Sequence, residues 1–351
     1  VRALARGTAA YTEPDLQRYV DEERRLIAEL APDAVAADFR PTAAISARLA
    51  GVPCAAIVNA YWSPLARGPL PMPVLPLTRW LPLPLAQALF DAGSRWILPL
   101  HARPWNRVRE AHGLPGLGPD LRRIYSDADI VLYPDIPGMF DLAELPAHHR
   151  FIGPLLWSPP VPMPPWWGDL PAGRALAYVT LGSSGDPALL HRIVAGLRAA
   201  GLAVMATASA AAAARYRGAG DVFTAELLPG DQATARADLV VCNGGAMTCH
   251  QAFACGRPVL GIVGNMDQFM NMAAVERAGA GRMLRADRVS ATAVRRAATD
   301  ILAGAGVAAL ASHRVAAAAD GLLPANVLLQ ALEGAGPSRG GRGLGVPARP
   351  A

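Results

Sequence analysis

The chain has 351 residues, of which 52% are hydrophobic and 17% charged, so it is long enough for two domains with buried cores. No apolar run is long enough to cross a membrane without a charge or a proline, and we expect a protein of the cytoplasm. The net charge of +5 comes from arginines scattered along the chain, which argues against a nucleic-acid partner. The cysteines form no CxxC pair and are predicted to be small buried residues: Cys54, Cys242, Cys249 and Cys255.

The first half alternates helices and strands, which is typical of a parallel sheet. Apolar residues recur at helical spacing over 15–30, and Pro41 opens a second helix that Gly51 ends. Closely spaced prolines argue against regular helix over 64–84, where we expect a long surface loop. The other predicted elements are strands at 35–38, 54–58 and 130–133 and a helix over 86–112.

A second proline cluster, over 154–171, separates this half from a more regular series and predicts a domain linker. Beyond it, short apolar runs alternate with helical segments, which indicates a doubly wound α/β domain. The predicted elements are strands at 177–181, 203–207, 222–224, 239–242 and 259–263, helices from 187, after 245 and over 268–278, and closing helices over 290–333.

Two glycine turns in the second half each follow a strand and precede a helix. They are residues 182–185 and residues 243–245. Ligands bind at the carboxyl ends of parallel strands, where a helix N-terminus exposes unpaired N–H groups to phosphate. The hydroxyls of Ser183, Ser184 and Thr248 add hydrogen-bond donors. Either turn alone is adequately explained as a strand-to-helix turn, but two in one domain favour a phosphate site that is neither a P-loop nor a dinucleotide fingerprint.

Asp267 and Gln268 follow a further predicted strand. A carboxylate accepts two hydroxyl hydrogen bonds and an amide both donates and accepts, which matches a vicinal diol on a sugar. Asp267 is equally suited to cap the helix predicted from Gln268, and the two roles are compatible.

Two other sequence patterns are candidates for metal sites. Asp127 and Asp129 form a DxD sequence that precedes a strand instead of following one, so we discount it. His101, His112 and the histidines at 148–149 have no partner at metal-ligand spacing and are predicted to be surface residues. The sequence therefore predicts no metal ligand.

Residues 237–281 resemble the donor-binding signature of GT-B glycosyltransferases of the UDP-glucuronosyl and macrolide glycosyltransferase type. That signature has a Gly-Gly turn, a Thr or Ser, an acidic residue, a GxPxL strand and Asp-Gln. The likeness extends to residues 38–53, 151–154 and 180–183. The matching residues are Asn243-Gly244-Gly245, Thr248, Gln251, Gly256-Arg257-Pro258-Val259-Leu260, Asp267-Gln268 and Gly279-Ala280-Gly281.

The resemblance implies an α/β fold of the GT-B type, with two Rossmann-like doubly wound domains facing a cleft. It implies an acceptor-binding domain over 1–155 and a donor-binding domain over 173–333. The proline cluster predicts the linker between them, over 156–172, and the Gly, Pro and Arg content of 334–351 predicts a disordered tail.

The resemblance also assigns roles to individual residues. Asp38 matches the acid that orients a catalytic histidine, and Asp267 with Gln268 would hold the sugar. Leu228, Pro229 and Gln251 would lie beside the nucleoside. The residues implied to hold the donor diphosphate are Gly182, Ser183, Ser184, Asn243, Gly244, Gly245 and Thr248.

The implied function is inverting, metal-independent transfer of a hexose from a UDP- or dTDP-sugar to a small-molecule or lipid acceptor. No cofactor is implied besides this nucleotide-sugar substrate. Peripheral membrane contact through the acceptor domain and the oligomeric state are left open. Asn243 stands where the family usually has His, and Gln251 where it has Glu. A catalytically impaired nucleotide-sugar-binding protein is therefore the alternative, ahead of an epimerase, for which Asp267 alone is a poor acid set.

The resembled family carries its histidine base on a loop after the first strand. Here the chain opens with a polar stretch and a helix, and no histidine precedes His101. We therefore expect the N-terminal domain to be incomplete, lacking at least one β-α-β unit. On this expectation the chain binds nucleotide but transfers sugar poorly.

Overall fold

The computed structural model describes residues 11–304, apart from the side chain of Arg79. These residues form two wholly parallel β-sheets, one in each half of the chain, with helices packed against them. The alternation of helices and strands predicted from the sequence is therefore confirmed in both halves. Within the described part of the chain, no helix combines the length and hydrophobicity that a membrane span requires.

The first sheet has four strands. The elements of this half are α1 (Glu13–Leu30), β1 (Val35–Asp38), α2 (Pro41–Ala50), β2 (Cys54–Ile57), α3 (Leu83–Ala111), α4 (Leu121–Tyr125), β3 (Ile130–Tyr133) and β4 (His149–Phe151), with 3-10 helices at Ala60–Trp62 and Pro76–Arg79. The spatial order of the strands is β1-β2-β3-β4, so β1 is an edge strand among the described residues.

The second sheet has six strands. Its half contains β5 (Leu176–Thr180), α5 (Leu190–Ala199), β6 (Ala203–Thr207), α6 (Ala210–Ala213), β7 (Val222–Ala225), α7 (Gly230–Arg236), β8 (Leu239–Cys242), α8 (Ala246–Ala254), β9 (Val259–Val263), α9 (Met266–Arg277), β10 (Gly281–Arg285) and α10 (Ala291–Ala303), with 3-10 helices at Pro165–Asp169, Pro187–Leu189, Ala214–Tyr216 and Ala286–Arg288. The spatial order is β10-β9-β8-β5-β6-β7. β5, β8 and β9 are therefore neighbours, and the turns that follow them lie side by side.

The two halves share one core. Ile136 and Met139 come from the loop after β3, yet they pack in the same buried cluster as Phe253 of α8 and Val240 of β8. Because apolar burial is the main favourable term in folding, this shared cluster joins the first half firmly to the second half.

The proline-rich segment over 64–84 contains no α-helix before Leu83, but the expectation of a surface loop holds only for part of it. Met72 and Thr78 are 2% and 1% exposed. Arg285 of β10 donates hydrogen bonds to the carbonyls of Met72 and Pro73 at 3.1 and 3.2 Å, and Thr78 donates to the buried Asp287 carboxylate. We call this segment the strap, since it lies across part of the second half. Its backbone carbonyls accept hydrogen bonds there that a solvent-exposed loop would accept from water.

Five helices and strands were not predicted from the sequence: α4, α6, α7, β4 and β10. β4 has three residues, and β10 carries arginines at both its second and its fifth position, so neither shows an apolar run. Of the closing helices predicted over 290–333, α10 is described. The rest of that prediction, and the predicted tail over 334–351, lie outside the described residues.

Candidate functional site

Three loops of the second sheet meet at the side chain of Ser184. The Asn243 amide donates to its hydroxyl oxygen at 2.9 Å, and the Gln268 amide donates to the same oxygen at 3.1 Å. These residues lie 59 and 84 positions from Ser184 in the chain. The parallel order of β5, β8 and β9 brings them together at the carboxyl edge of the sheet, as the sequence predicts.

The contacts of Ser184 fix the direction of its proton. A hydroxyl has two acceptor lone pairs and one donor, and the two amides use both lone pairs. The Ser184 O–H is thus left to donate, and the residue is exposed together with Gly182 and Ser183. The arrangement presents a hydrogen-bond donor to a ligand with acceptor oxygens.

The second turn, residues 243–245, opens the N-terminus of α8. Gly245 is the N-cap residue, no side chain caps this helix end, and the Asn243 side-chain oxygen accepts from the Gly245 N–H at 3.1 Å. Gly244 has φ +82°, and a Cβ there would lie 2.7 Å from Met272 and 2.8 Å from Val263. Only glycine fits, and the uncapped helix end leaves N–H groups and a partial positive charge for an anion.

Thr248 lies in the first turn of α8 and is half-buried. Its predicted role as a further diphosphate donor stays a prediction, as do the diphosphate roles of the two glycine turns.

The loop before α9 shows that one of the two roles predicted for Asp267, the helix cap, is wrong. Asp267 does not cap α9. Asn265 is the N-cap residue and forms a capping box with Gln268, whose side chain accepts from the backbone N–H of Asn265. Gln268 is 2% exposed and joins this helix start to Ser184. The Asp267 carboxylate is therefore not needed at the helix end.

Asp267 instead faces the first half of the chain. The indole N–H of Trp62 donates to one of its carboxylate oxygens at 2.8 Å. Burial, and after it the charge of Asp267, raise the pKa of the neighbouring Tyr61 well above its usual value. The predicted sugar-binding carboxylate thus lies at the junction between the two halves, and its sugar-binding role stays a prediction.

The residues predicted beside the nucleoside occupy different environments. Leu228 is 3% exposed and packs in the core, whereas Leu227 is 60% exposed and was not predicted. Pro229 precedes α7 and is buried. Gln251 donates to the carbonyl of Trp157 at 2.8 Å, so its amide nitrogen is engaged by the predicted linker. Their contact with a nucleoside stays a prediction, and the apolar surface at this loop belongs to Leu227.

Asp38 ends β1 and is exposed, which places it at the carboxyl edge of the first sheet. Within the described chain it makes no side-chain hydrogen bond. Phe39, directly after it, has φ +48°, a left-handed conformation that bulky residues rarely adopt. The predicted catalytic role of Asp38 stays a prediction.

Sequence reasoning missed a buried acid–histidine pair. Asp135 and His250 approach to 3.8 Å, and the Asp135 carboxylate accepts the backbone N–H of Ala60 at 2.6 Å and the amide of Asn59 at 3.1 Å. Burial raises the pKa of Asp135 to about 6 and lowers the pKa of His250 to about 4. Asp135 follows β3 closely, and its place near a strand end was the one signal that could have found it.

The prediction that the four histidines at 101, 112, 148 and 149 lie on the surface is wrong for two of them. His101 and His149 are 6% and 8% exposed, and the Tyr133 hydroxyl lies 2.5 Å from a ring nitrogen of His149. The helical and strand positions of these residues turn them inward.

The aspartates of the DxD sequence have structural partners. Asp129 accepts from the Cys54 N–H at 2.8 Å, and Asp127 pairs with Arg48 and Arg109. Among residues 11–304, no group of three or more His, Cys, Asp or Glu side chains has a metal-binding arrangement.

Comparison with known proteins adds to this geometry. Residues 227–321 match the family described as the glycosyltransferase family 28 C-terminal domain. The chain is 43% identical over 303 residues to the PGL/p-HBAD biosynthesis glycosyltransferase of Mycobacterium tuberculosis, covering 86% of this chain and 70% of the relative. It is 42% identical over 292 residues to the PGL/p-HBAD biosynthesis rhamnosyltransferase of Mycobacterium bovis, covering 83% and 65%. A relative from Mycobacterium bovis named an inactive PGL/p-HBAD biosynthesis glycosyltransferase is 43% identical over 194 residues, covering 55% and 53%.

Solved structures share the fold. Spinosyn rhamnosyltransferase SpnG superimposes with a TM-score of 0.66 at 19% identity, covering 92% of this chain and 79% of that one. The structure of SpnG complexed with thymidine diphosphate gives a TM-score of 0.63 at the same 19% identity and the same 92% and 79% coverage. These structures confirm the predicted GT-B fold, and the relatives confirm the predicted glycosyltransferase. We conclude that the chain belongs to the family of the PGL/p-HBAD biosynthesis glycosyltransferases.

Proposed function

We propose that this glycosyltransferase moves a hexose from a dTDP- or UDP-sugar to a small-molecule or lipid acceptor, with inversion and without a metal ion. The observation that carries the proposal is the meeting of three strand-end loops at Ser184 beside the uncapped N-terminus of α8. Together they offer hydroxyl, amide and backbone donors to a diphosphate, which a helix N-terminus also favours through its dipole.

In this proposal the donor half is residues 173–333, the acceptor half is residues 1–155, and 156–172 links them. The diphosphate lies against Ser184 and the N-terminus of α8, while Asp267 accepts hydrogen bonds from the sugar hydroxyls. The free cysteines support a cytoplasmic location.

The chemistry follows from these positions. The acceptor oxygen forms a bond to the anomeric carbon, and the bond from that carbon to the diphosphate breaks with its electron pair passing to the diphosphate. The donors around Ser184 stabilise the charge that develops there, because they are fixed before the reaction. The proton of the acceptor hydroxyl passes to a base, and Asp38 is the acid placed to orient one.

Two facts support a donor of the dTDP or UDP type. A solved neighbour with the same fold is complexed with thymidine diphosphate. The loop before α7, which holds Leu228 and Pro229, also exposes the apolar side chain of Leu227, against which a flat base can pack. Neither fact distinguishes thymine from uracil, so both donors enter the test.

The test has a binding arm and a turnover arm. A thermal-shift screen uses dTDP, UDP and GDP, since a ligand at about one hundred times its Kd stabilises the folded state by about 2.7 kcal/mol. Turnover is then followed as release of nucleotide diphosphate from the sugar donor with EDTA present. The proposal expects dTDP or UDP to stabilise, GDP not to, and EDTA to leave turnover unchanged. Loss of turnover in EDTA that Mg²⁺ restores would overturn metal independence.

A catalytically impaired nucleotide-sugar-binding protein is the second candidate. Asn243 is neutral where the resembled family has His, and Gln251 is bonded to the linker at Trp157. A related protein is also named inactive. Stabilisation by dTDP or UDP without any turnover, in the presence of varied hydroxyl acceptors, would favour this candidate over the transferase.

A further inference from the structure

The strap reaches the loop between β9 and α9, which leads to Asp267 and Gln268. The backbone N–H of Val74 in the strap donates to the Gly264 carbonyl at 2.8 Å. Gly264 directly follows β9 and is therefore the first residue of that loop. The first half thus contacts this part of the donor half at two points, Gly264 through the strap and Asp267 through Trp62.

Gly264 is hydrogen-bonded on both sides of its backbone. Its carbonyl accepts from the strap, and its N–H donates to the side-chain oxygen of Gln268 at 2.8 Å. The amide nitrogen of Gln268 donates in turn to the Ser184 hydroxyl oxygen at 3.1 Å. A continuous series of three hydrogen bonds therefore runs from Val74 to the hydroxyl that is proposed to donate to the diphosphate.

Arg285, the last residue of β10, holds the strap in this position. Its guanidinium donates to the carbonyls of Met72 and Pro73 at 3.1 and 3.2 Å. These two residues directly precede Val74, so three successive residues of the strap bond to the donor half. Because Arg285 bonds the two carbonyls next to Val74, it limits the positions from which the Val74 N–H can donate to Gly264.

The surroundings of Arg285 suit a guanidinium and not an ammonium group. The side chain is 16% exposed, and its Nε lies 3.3 Å from the Asp287 carboxylate. Its central carbon lies 4.8 Å from the ring centroid of Phe269. A planar guanidinium can stack on a ring while its fork of donors bonds two neighbouring carbonyls, whereas the ammonium of lysine is a point charge on a flexible stem.

We propose that Arg285 is a positioning residue for donor binding, which acts through the strap and Gly264 on the hydrogen bond between Gln268 and Ser184. The inference rests on the proposed function. Arg285 does not touch the diphosphate. It keeps the loop before α9 in the arrangement in which Gln268 occupies a lone pair of Ser184 and leaves the Ser184 proton to be donated. A site held in its binding arrangement avoids the cost of ordering when the ligand arrives.

Calorimetric titration of dTDP into the full chain tests this role with Arg285→Lys, which keeps the positive charge. We expect dTDP to bind about tenfold more weakly than to the wild type, which is the loss of about one hydrogen bond to the ligand. In a Ser184→Ala background the same substitution should change the Kd by about twofold or less, because the contact that Arg285 supports is already absent. A substitution that only loosened the fold would weaken binding equally in both backgrounds.

Arg109→Lys is the matched control. Arg109 is a buried arginine of the first half that also donates to a loop carbonyl, that of Pro115 at 2.8 Å, and also pairs with an aspartate, Asp127. The same change of side chain there should lower the thermal midpoint without changing the affinity for dTDP.

Hydrogen exchange of the wild-type chain tests the same coupling without a variant. If the strap contact strengthens dTDP binding, dTDP must strengthen the strap contact by the same factor, since coupling between two equilibria is reciprocal. The Val74 amide should therefore exchange about tenfold more slowly with saturating dTDP. The amide of Arg67 is the control, because it lies in the strap but donates to the Asp141 carbonyl of the first half.

Equal dTDP affinity in Arg285→Lys and the wild type would overturn the inference. So would an equal loss in Arg109→Lys, an undiminished loss in the Ser184→Ala background, or unchanged exchange at Val74. In each case, dTDP binding by the wild-type protein would leave the proposed function intact. A wild-type protein that fails to bind both dTDP and UDP would instead remove the proposed function on which the inference rests.

Discussion

Replacing Asp267 by alanine tests whether this carboxylate holds the donor sugar. Asp267 contacts Trp62 of the first half and is separate from the residues that meet at Ser184. A hydrogen bond to a charged group contributes about 1.5–3 kcal/mol, which corresponds to about tenfold to 150-fold in Kd. We therefore expect Asp267→Ala to weaken dTDP-glucose binding by that factor and to change dTDP binding by about twofold or less.

The indole of Trp62 sets where in that range the loss falls. In the free protein its N–H occupies one oxygen of Asp267, so a sugar hydroxyl has to replace a bond that already exists. The net gain from the sugar is then closer to the lower limit. Trp62→Phe keeps an aromatic ring but removes the N–H, and it should tighten dTDP-glucose binding while leaving dTDP binding unchanged.

Calorimetry with dTDP and dTDP-glucose on each variant provides the measurement. Asp300→Ala is the control, since Asp300 is a half-exposed aspartate paired with Arg282 away from the three loops. Equal losses for the two ligands in Asp267→Ala would refute the reasoning, because they would mean that Asp267 only supports the first turn of α9.

Three further predictions concern stability. Gly244→Ala should lower the thermal midpoint clearly, because its Cβ would lie within 3 Å of two side chains at a left-handed φ, whereas Gly168→Ala, with open space around it, should not. Burial raises the pKa of Asp135 to about 6 and lowers that of His250 to about 4. As the pH falls from 6.5 to 4, His250 therefore lowers the free energy of unfolding of the protein, and protonation of Asp135 offsets part of that loss. Asp135→Asn should therefore deepen the fall in thermal midpoint over that pH range, and His250→Gln should reduce it. Thr78→Val should cost about 1–3 kcal/mol in chemical unfolding, because it leaves a buried carboxylate without its hydroxyl donor. An unchanged thermal midpoint in Gly244→Ala would contradict the packing interpretation. An unchanged pH dependence in Asp135→Asn and His250→Gln would contradict the linkage interpretation, and an unchanged free energy of unfolding in Thr78→Val would contradict the strap interpretation.

The features predicted most accurately are those that depend on the local sequence pattern. The two glycine turns were found because each follows an apolar strand and precedes a helix, and parallel pairing then had to bring Ser184 and Asn243 to one edge. The sequence favours Asp267 over Asn265 as the cap, because Asp and Asn are equally good caps and the predicted helix starts two residues too late.

What could not be predicted depends on packing between the two halves. The Trp62–Asp267 hydrogen bond joins residues 205 positions apart, and no periodicity or spacing announces it. Closely spaced prolines disfavour regular helix but give no information about burial, so the sequence predicts a surface loop over 64–84 although parts of the strap are buried. Asp135 and His250 stand in no recognisable sequence pattern. Their pKa values are shifted by burial, which depends on how the chain packs in three dimensions.

Titration of dTDP into the wild-type chain, Ser184→Ala and Ser94→Ala by calorimetry tests the central claim most directly. The Ser184 hydroxyl is proposed to donate to the diphosphate, and its oxygen holds Asn243 and Gln268 in place. Ser94 is a partly exposed helical serine that bonds only its own helix. We predict that Ser184→Ala weakens dTDP binding by about tenfold to 150-fold while Ser94→Ala matches the wild type. Equal affinity in Ser184→Ala and the wild type would contradict a diphosphate site at these three loops.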